Sequence, residues 1–112
     1  MEIIKTLDEY NRLIETDHTH IFFCSLSFCL PCKVINPQYE LMAKDNVNTE
    51  LKFYKLVVDE FDDEEESKIK DILKLHGKKF PLFVFIKNKD ILYELEGKQY
   101  NELQQLWDLY KE

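Results

Sequence analysis

The sequence predicts an α/β fold, a central mixed sheet flanked by helices in one domain over residues 1–112, and three observations predict it. Segments of strand character alternate with segments of helical periodicity, an order that demands parallel strands joined by right-handed crossovers. The run Ile21-Phe22-Phe23-Cys24-Ser25-Leu26 is apolar and aromatic without polar alternation, which suits a strand buried on both faces at the centre of a parallel sheet. Towards the C-terminal end, two strand-like runs flank Lys87-Asn88-Lys89-Asp90, which reads as the turn of a hairpin.

The elements follow in order. Ile3 and Ile4 form a short first strand. Thr6 and Glu9 have capping-box spacing, and Leu7, Tyr10, Leu13 and Ile14 recur at helical intervals, predicting a helix from Leu7 to Glu15. The buried run Ile21 to Leu26 is the second strand. Val34, Ile35, Leu41 and Met42 share a helical face, giving a second helix from Leu30 to Lys44 that Pro37 should kink. Lys52 to Asp59 is the third strand. The next stretch, Asp59 to Glu66, is acidic at every position except Phe61 and sits well at the positive end of a third helix, marked by Ile69, Ile72, Leu73 and His76 and ended by Gly77. Phe80-Pro81 interrupts before the hairpin strands Leu82 to Ile86 and Ile91 to Glu96. Leu103, Leu106, Trp107 and Tyr110 then space out a last amphipathic helix, completing the order β-α-β-α-β-α-β-β-α.

Composition removes several function classes. With only two glycines, Gly77 and Gly97, the chain cannot build a phosphate-cradling loop or a glycine-rich dinucleotide turn. A formal charge of −7 with Arg12 as sole arginine argues against nucleic acid as a partner. The longest apolar stretch, Phe80 to Ile86, is far short of a membrane span, and the acidic amphipathic N-terminal segment lacks the apolar core of a secretory signal. The expectation is a cytoplasmic protein. Three cysteines, Cys24, Cys29 and Cys32, are odd in number and too few for a disulfide framework, so they suggest chemistry or packing.

Cys29-Leu30-Pro31-Cys32 stands where a buried strand hands over to a helix. Two cysteines three apart at a helix start lie on one face within a turn, close enough for a disulfide to open and close without refolding. Cys29, at the outermost turn, meets unpaired backbone N–H groups and the positive end of the helix dipole, which stabilise a thiolate. Cys32, one turn deeper, should be shielded, and Pro31 fits a first turn where a missing N–H costs nothing. Two other readings stand beside redox chemistry: small core residues, or half a zinc site. The latter wants four ligands, there is no second C-x-x-C, and His18, His20 and His76 would complete it only by coincidence of folding, so no metal is expected. Those histidines read as loop and helix-end residues, and Cys24 as a core residue of its strand.

These residues together resemble the thioredoxin family along nearly the whole chain. Phe28-Cys29-Leu30-Pro31-Cys32-Lys33 matches the redox motif, Pro37 the proline of the second helix, and Lys55 with Asp59 the third strand. Phe80-Pro81 matches the cis-proline, Lys87-Asn88 the hairpin turn, and Gly97 the glycine before the last helix. The resemblance implies a thioredoxin fold with Pro81 cis beside Cys29 and the backbone around Phe80 free to pair with an extended substrate segment. It also implies a monomeric thiol-disulfide oxidoreductase acting through a mixed disulfide. Its partners would be protein disulfides and a separate disulfide reductase, with no bound cofactor.

Three departures qualify that picture. Phe28 and Leu30 stand where the family has tryptophan and glycine, so apolar bulk lines the mouth of the site. Phe28, Leu30 and Phe80 would form an exposed apolar rim that, with Pro31 and Pro81, contacts substrate. Phe23 replaces the family's buried aspartate, which removes a proton acceptor for Cys32 and leaves Lys55 without its carboxylate partner. Lys55 is therefore expected either to snorkel to solvent or to lie near the thiols and favour the thiolate. The alternative function is a thioredoxin-fold interaction module with weak or no redox activity, for which the acid run could be a docking surface.

Overall fold

The computed structural model describes residues 1–111 and contains one five-stranded sheet. Its strands are β1 (Glu2–Ile4), β2 (Thr19–Ser25), β3 (Leu51–Val57), β4 (Leu82–Lys87) and β5 (Asp90–Glu96), in the spatial order β1-β3-β2-β4-β5. β1 and β2 each pair parallel with β3, whereas β4 pairs antiparallel with both β2 and β5. The mixed sheet read from the sequence is the one observed. Solvent is excluded from Thr19 to Cys24 on both faces, as the run of apolar residues in β2 required.

Four helices cover the two faces: α1 (Leu7–Leu13), α2 (Leu30–Asp45), α3 (Asp63–Ile72) and α4 (Tyr100–Tyr110). Tyr10 and Ile14 at the α1 end and Ile69 and Leu73 at the α3 end pack with Phe22, Cys24, Leu56 and Val84 on one face. Tyr39 and Met42 of α2 and Leu103 of α4 pack with Ile21, Phe23, Phe53 and Phe83 on the other, together with both Cys29 and Cys32. Alternate residues of β2 therefore feed two separate clusters, because side chains of a strand point to opposite faces.

Local signals account for most helix starts. Thr6 caps α1 through Glu9 N–H (3.1 Å), and Asp62 caps α3 through Glu65 N–H (2.9 Å). The acid run is that helix entrance: Asp63 to Glu66 form the first turn of α3, and Glu65 Oε1 accepts a 2.7 Å bond from Leu7 N–H, joining α3 to α1. Asn88 and Lys89 both take left-handed backbone (φ 53° and 67°), the pairing a two-residue hairpin turn requires.

Most boundaries move by a residue or two, β2 running from Thr19 to Ser25 rather than Ile21 to Leu26, and larger differences fall at three element ends and one placement. α1 stops at Leu13, so Glu15 lies beyond it. β3 ends at Val57, and a 3-10 turn over Val58–Glu60 carries Asp59 off the strand. α3 stops at Ile72 rather than at Gly77, because Lys74 adopts φ 57° and reverses the chain while Leu73 and Leu75 stay buried. His20 is neither in a loop nor at a helix end. It lies in β2, 1% exposed, against Phe22 and Tyr54.

Candidate active site

The site forms where β2 ends and α2 begins. After Ser25 the chain turns, with Cys29 N–H bonded to Leu26 O (3.2 Å), and Cys29 becomes the N-cap of α2 with extended backbone (φ −85°, ψ 107°). Its Sγ accepts a hydrogen bond from Cys32 N–H at 3.2 Å, so sulfur fills the position a serine or aspartate oxygen usually takes. Pro31 sits in the first turn, where no intrahelical N–H is needed. Cys29 and Cys32 are joined as a disulfide with Cα atoms 5.3 Å apart, inside the span such a bridge tolerates. Both cysteines are more covered than the spacing suggested, 8% exposed for Cys29 and 4% for Cys32. Phe28 and Leu30 stand out from the surface around them, 75% and 70% exposed, while Phe80 is half-buried against the cluster that holds both thiols.

A groove of about 380 Å³ opens beside the pair, lined by Pro31, Ile35, Phe80, Pro81, Gly97 and the stems of Lys79, Glu96 and Lys98. The Phe80-Pro81 peptide is cis. Gly97 is required here by close approach: a Cβ at this position would lie 2.8 Å from Pro81 Cδ and Cγ. Its N–H bonds to Pro81 O (2.9 Å), which ties the start of the last helix to the proline. A larger cavity of about 660 Å³ lies away from both cysteines, between the end of α2 and the β1–β3 edge.

Beneath the pair, Phe23 is 1% exposed and packs edge-on against Tyr39 (4.9 Å between centroids) and against Phe83 (5.2 Å). No carboxylate is buried among the described residues, where the only buried polar or charged residues are Thr19 and His20. Lys55, in register with Phe23 on β3, is not left without one, which corrects the expectation. Its Nζ bonds to Glu40 Oε1 (2.6 Å) and Asn36 Oδ1 (2.8 Å), both on α2. The ammonium reaches α2, and its hydrogen bonds go to oxygen, not to a thiol. Hydrogen bonding to Lys55 and Asn36 holds the Glu40 carboxyl below the usual carboxylate range.

Sequence reasoning missed one contact of the active loop. Asp59 accepts bonds from both the N–H of Ser27 (2.9 Å to Oδ1) and its hydroxyl, pinning the residue two before Cys29 to the end of β3. Burial would raise the Asp59 pKa, yet the bonds from Ser27 outweigh it and the carboxyl is lowered. The partners are far apart in the chain, so no local pattern could announce them. Among the described residues no group of three or more His, Cys, Asp or Glu is placed to hold a metal ion.

This arrangement can do one kind of chemistry well: reversible bonding between a helix-capping sulfur and a sulfur from outside, with a second sulfur one turn away. Comparison with known proteins agrees. The family model described as Thioredoxin matches residues 2–109. The thioredoxin of Malassezia sympodialis is 26% identical over 104 residues, covering 93% of this chain and 92% of the relative. Thioredoxin H4 of Arabidopsis thaliana is 32% identical over 97 residues, covering 86% and 69%. The solved thioredoxin of Plasmodium falciparum superposes with a TM-score of 0.79 at 28% identity, covering 98% of this chain and 99% of that one.

Proposed function

The chain belongs to the thioredoxin family and is a thiol-disulfide oxidoreductase, and we propose that it reduces protein disulfides with Cys29 as the attacking thiol and Cys32 as the resolving one. The observation that carries this assignment of roles is the Cys29 sulfur at the N-cap of α2, where the N–H of Cys32 and the helix dipole favour a thiolate. In the reduced protein, the Cys29 thiolate bonds to one sulfur of the substrate disulfide. The substrate S–S bond breaks, and its other sulfur leaves as a thiolate that takes a proton from water. Cys32, deprotonated, then bonds to Cys29 Sγ and the second substrate sulfur leaves. Two electrons have passed to the substrate, and the pair is left oxidised.

A separate disulfide reductase must return those two electrons, and the scheme needs no cofactor bound to this chain. Phe28, Leu30, Pro31, Phe80 and Pro81 supply the surface that receives the substrate. The backbone N–H and carbonyl of Phe80 have no backbone partner among the described residues, which leaves them for an extended segment. Lys55 we assign to holding α2 on β3 rather than to tuning the thiols, because Glu40 compensates its charge at 2.6 Å. No described helix is long and apolar enough to cross a membrane. We place it as a monomer in the cytoplasm, where a reducing environment suits a protein that delivers electrons to disulfides.

Trapping tests the reading. A Cys32→Ser variant cannot resolve the mixed disulfide, so incubation with oxidised insulin should leave an insulin chain bound to Cys29, releasable by dithiothreitol. No adduct, with the native protein equally unable to reduce insulin, would remove the redox reading and leave a thioredoxin-fold interaction module.

A further inference from the structure

The groove beside Pro81 carries the wrong charge for its protein. The chain has a formal charge of −7, and the other flank of the active loop follows that trend with Asp59, Glu60 and Asp62. The groove instead counts Lys79 and Lys98 among its lining residues, both exposed, with Glu96 as its one acid. Glu96 is committed elsewhere: its side chain accepts the N–H of Gln99 in a reciprocal capping box, and its Oε2 stands 3.5 Å from Lys98 Nζ, a loose pairing at an exposed site. Lys79 has no ion pair among the described residues, whereas its neighbour Lys78 is paired with Glu94 at 3.0 Å. The same groove has apolar walls: Pro31, Ile35, Phe80 and Pro81.

We infer that this groove is a subsite for an acidic side chain flanking the cysteine of the substrate disulfide, with Lys79 and Lys98 as the residues that select it. The inference rests on the redox reading above and names the substrate class within it. A segment laid along Phe80 runs beside a groove lined by two lysines, so an Asp or Glu next to the attacked half-cystine meets opposite charge and a Lys or Arg meets like charge. Rim charges of this kind act on encounter and register and are screened by salt, so the preference belongs in kcat/KM and falls with ionic strength.

The test uses short peptides of one cysteine joined by a disulfide to 5-thio-2-nitrobenzoate. They are identical except for Glu or Lys immediately before the cysteine, with a second pair varied immediately after it. The reduced protein attacks the peptide sulfur and releases the coloured thiolate. Each rate is divided by the rate with dithiothreitol, which removes the effect of the flanking charge on intrinsic reactivity. The expected result is a Glu-over-Lys ratio of about 5 in at least one register at low salt, falling towards 1 at high salt. The K79E/K98E double variant should bring that ratio to 1 or below. A ratio of 1 in both registers at low salt overturns the inference while leaving the redox reading intact, and so does a ratio that K79E/K98E does not move. Failure to release the coloured thiolate from any peptide overturns both.

Discussion

Cys24 and Cys29 are five residues apart, buried to nearly the same degree, and chemically opposite. Cys24 is 0% exposed at the centre of β2, its Sγ facing nothing more polar than Phe22 O at 3.7 Å. Burial first, and the charge of Glu94 second, push its thiol pKa up, so it stays protonated. Cys29 is 8% exposed but ends at a backbone N–H and the start of a helix. The contrast shows that coverage does not decide the reactivity of a thiol. What decides it is whether the local backbone offers a stabilising partner for the anion, and strand interiors have none to spare because their N–H groups are spent on the sheet.

Substitutions can break or sharpen this contrast. The largest expected effect is on Cys29: a Cys29→Ser protein should lose insulin reduction down to the uncatalysed background. Cys24→Ser should keep the native rate while losing about 1–3 kcal/mol of stability in urea titration, because it buries a hydroxyl in an apolar site. If Cys24→Ser instead slowed the reaction severalfold in a folded protein, the two thiols would not be functionally separate.

The second test moves a proton acceptor into the surroundings of Cys32. Phe23→Asp should cost about 3–5 kcal/mol from the lost aromatic packing against Tyr39 and Phe83. The same change should speed resolution of a preformed mixed disulfide by about 10²-fold, because a carboxylate would then face the resolving thiol. A resolution rate that does not rise, in a variant whose circular dichroism is native, would show that Cys32 deprotonation does not limit the reaction.

The smallest effect concerns the other titratable group on the Cys24 side of β2. Burial lowers the pKa of His20 below its ordinary 6.5, with a smaller opposing contribution from Thr16 and further lowering by His18 and Lys52. Its Nδ1 is buried without a hydrogen-bond partner. Because the unfolded chain binds a proton at His20 more readily than the folded one, native stability should fall as pH drops below 6.5. His20→Gln should flatten that part of the pH–stability curve, measured by urea titration across the interval, and an unchanged slope would show that other groups set it.

The two sides of β2 were not equally legible. The apolar run that makes β2 and the C-x-x-C at the start of α2 are local patterns, so the order of elements along the chain, the position of the pair and the closing hairpin could be read directly. What escaped depends on contacts between distant segments. Glu40 reaches Lys55 only because α2 lies across β3, and Asp59 reaches Ser27 only because β3 ends beside β2. The end of α3 escaped for another reason: Leu73 and His76 continue the helical spacing past Ile72, and nothing in the sequence marks Lys74 as the residue that turns left-handed. His20 looked like the end of a loop until pairing with Lys52 and Ile86 drew it into the sheet.

The sulfur that closes the first turn of α2 is also the atom that gains and loses electrons, and this couples the oxidation state to the integrity of the helix end. A thiolate accepts the Cys32 N–H more strongly than a disulfide sulfur does, so reduction tightens the helix start and oxidation slackens it. By thermodynamic reciprocity, anything that firms up the first turn when sulfur is anionic shifts the couple towards the dithiol. A difference of about 1 kcal/mol in cap strength corresponds to about 20 mV. The reducing power of this protein is in that sense partly stored in a helix terminus, where it can be adjusted from residues that never touch a substrate.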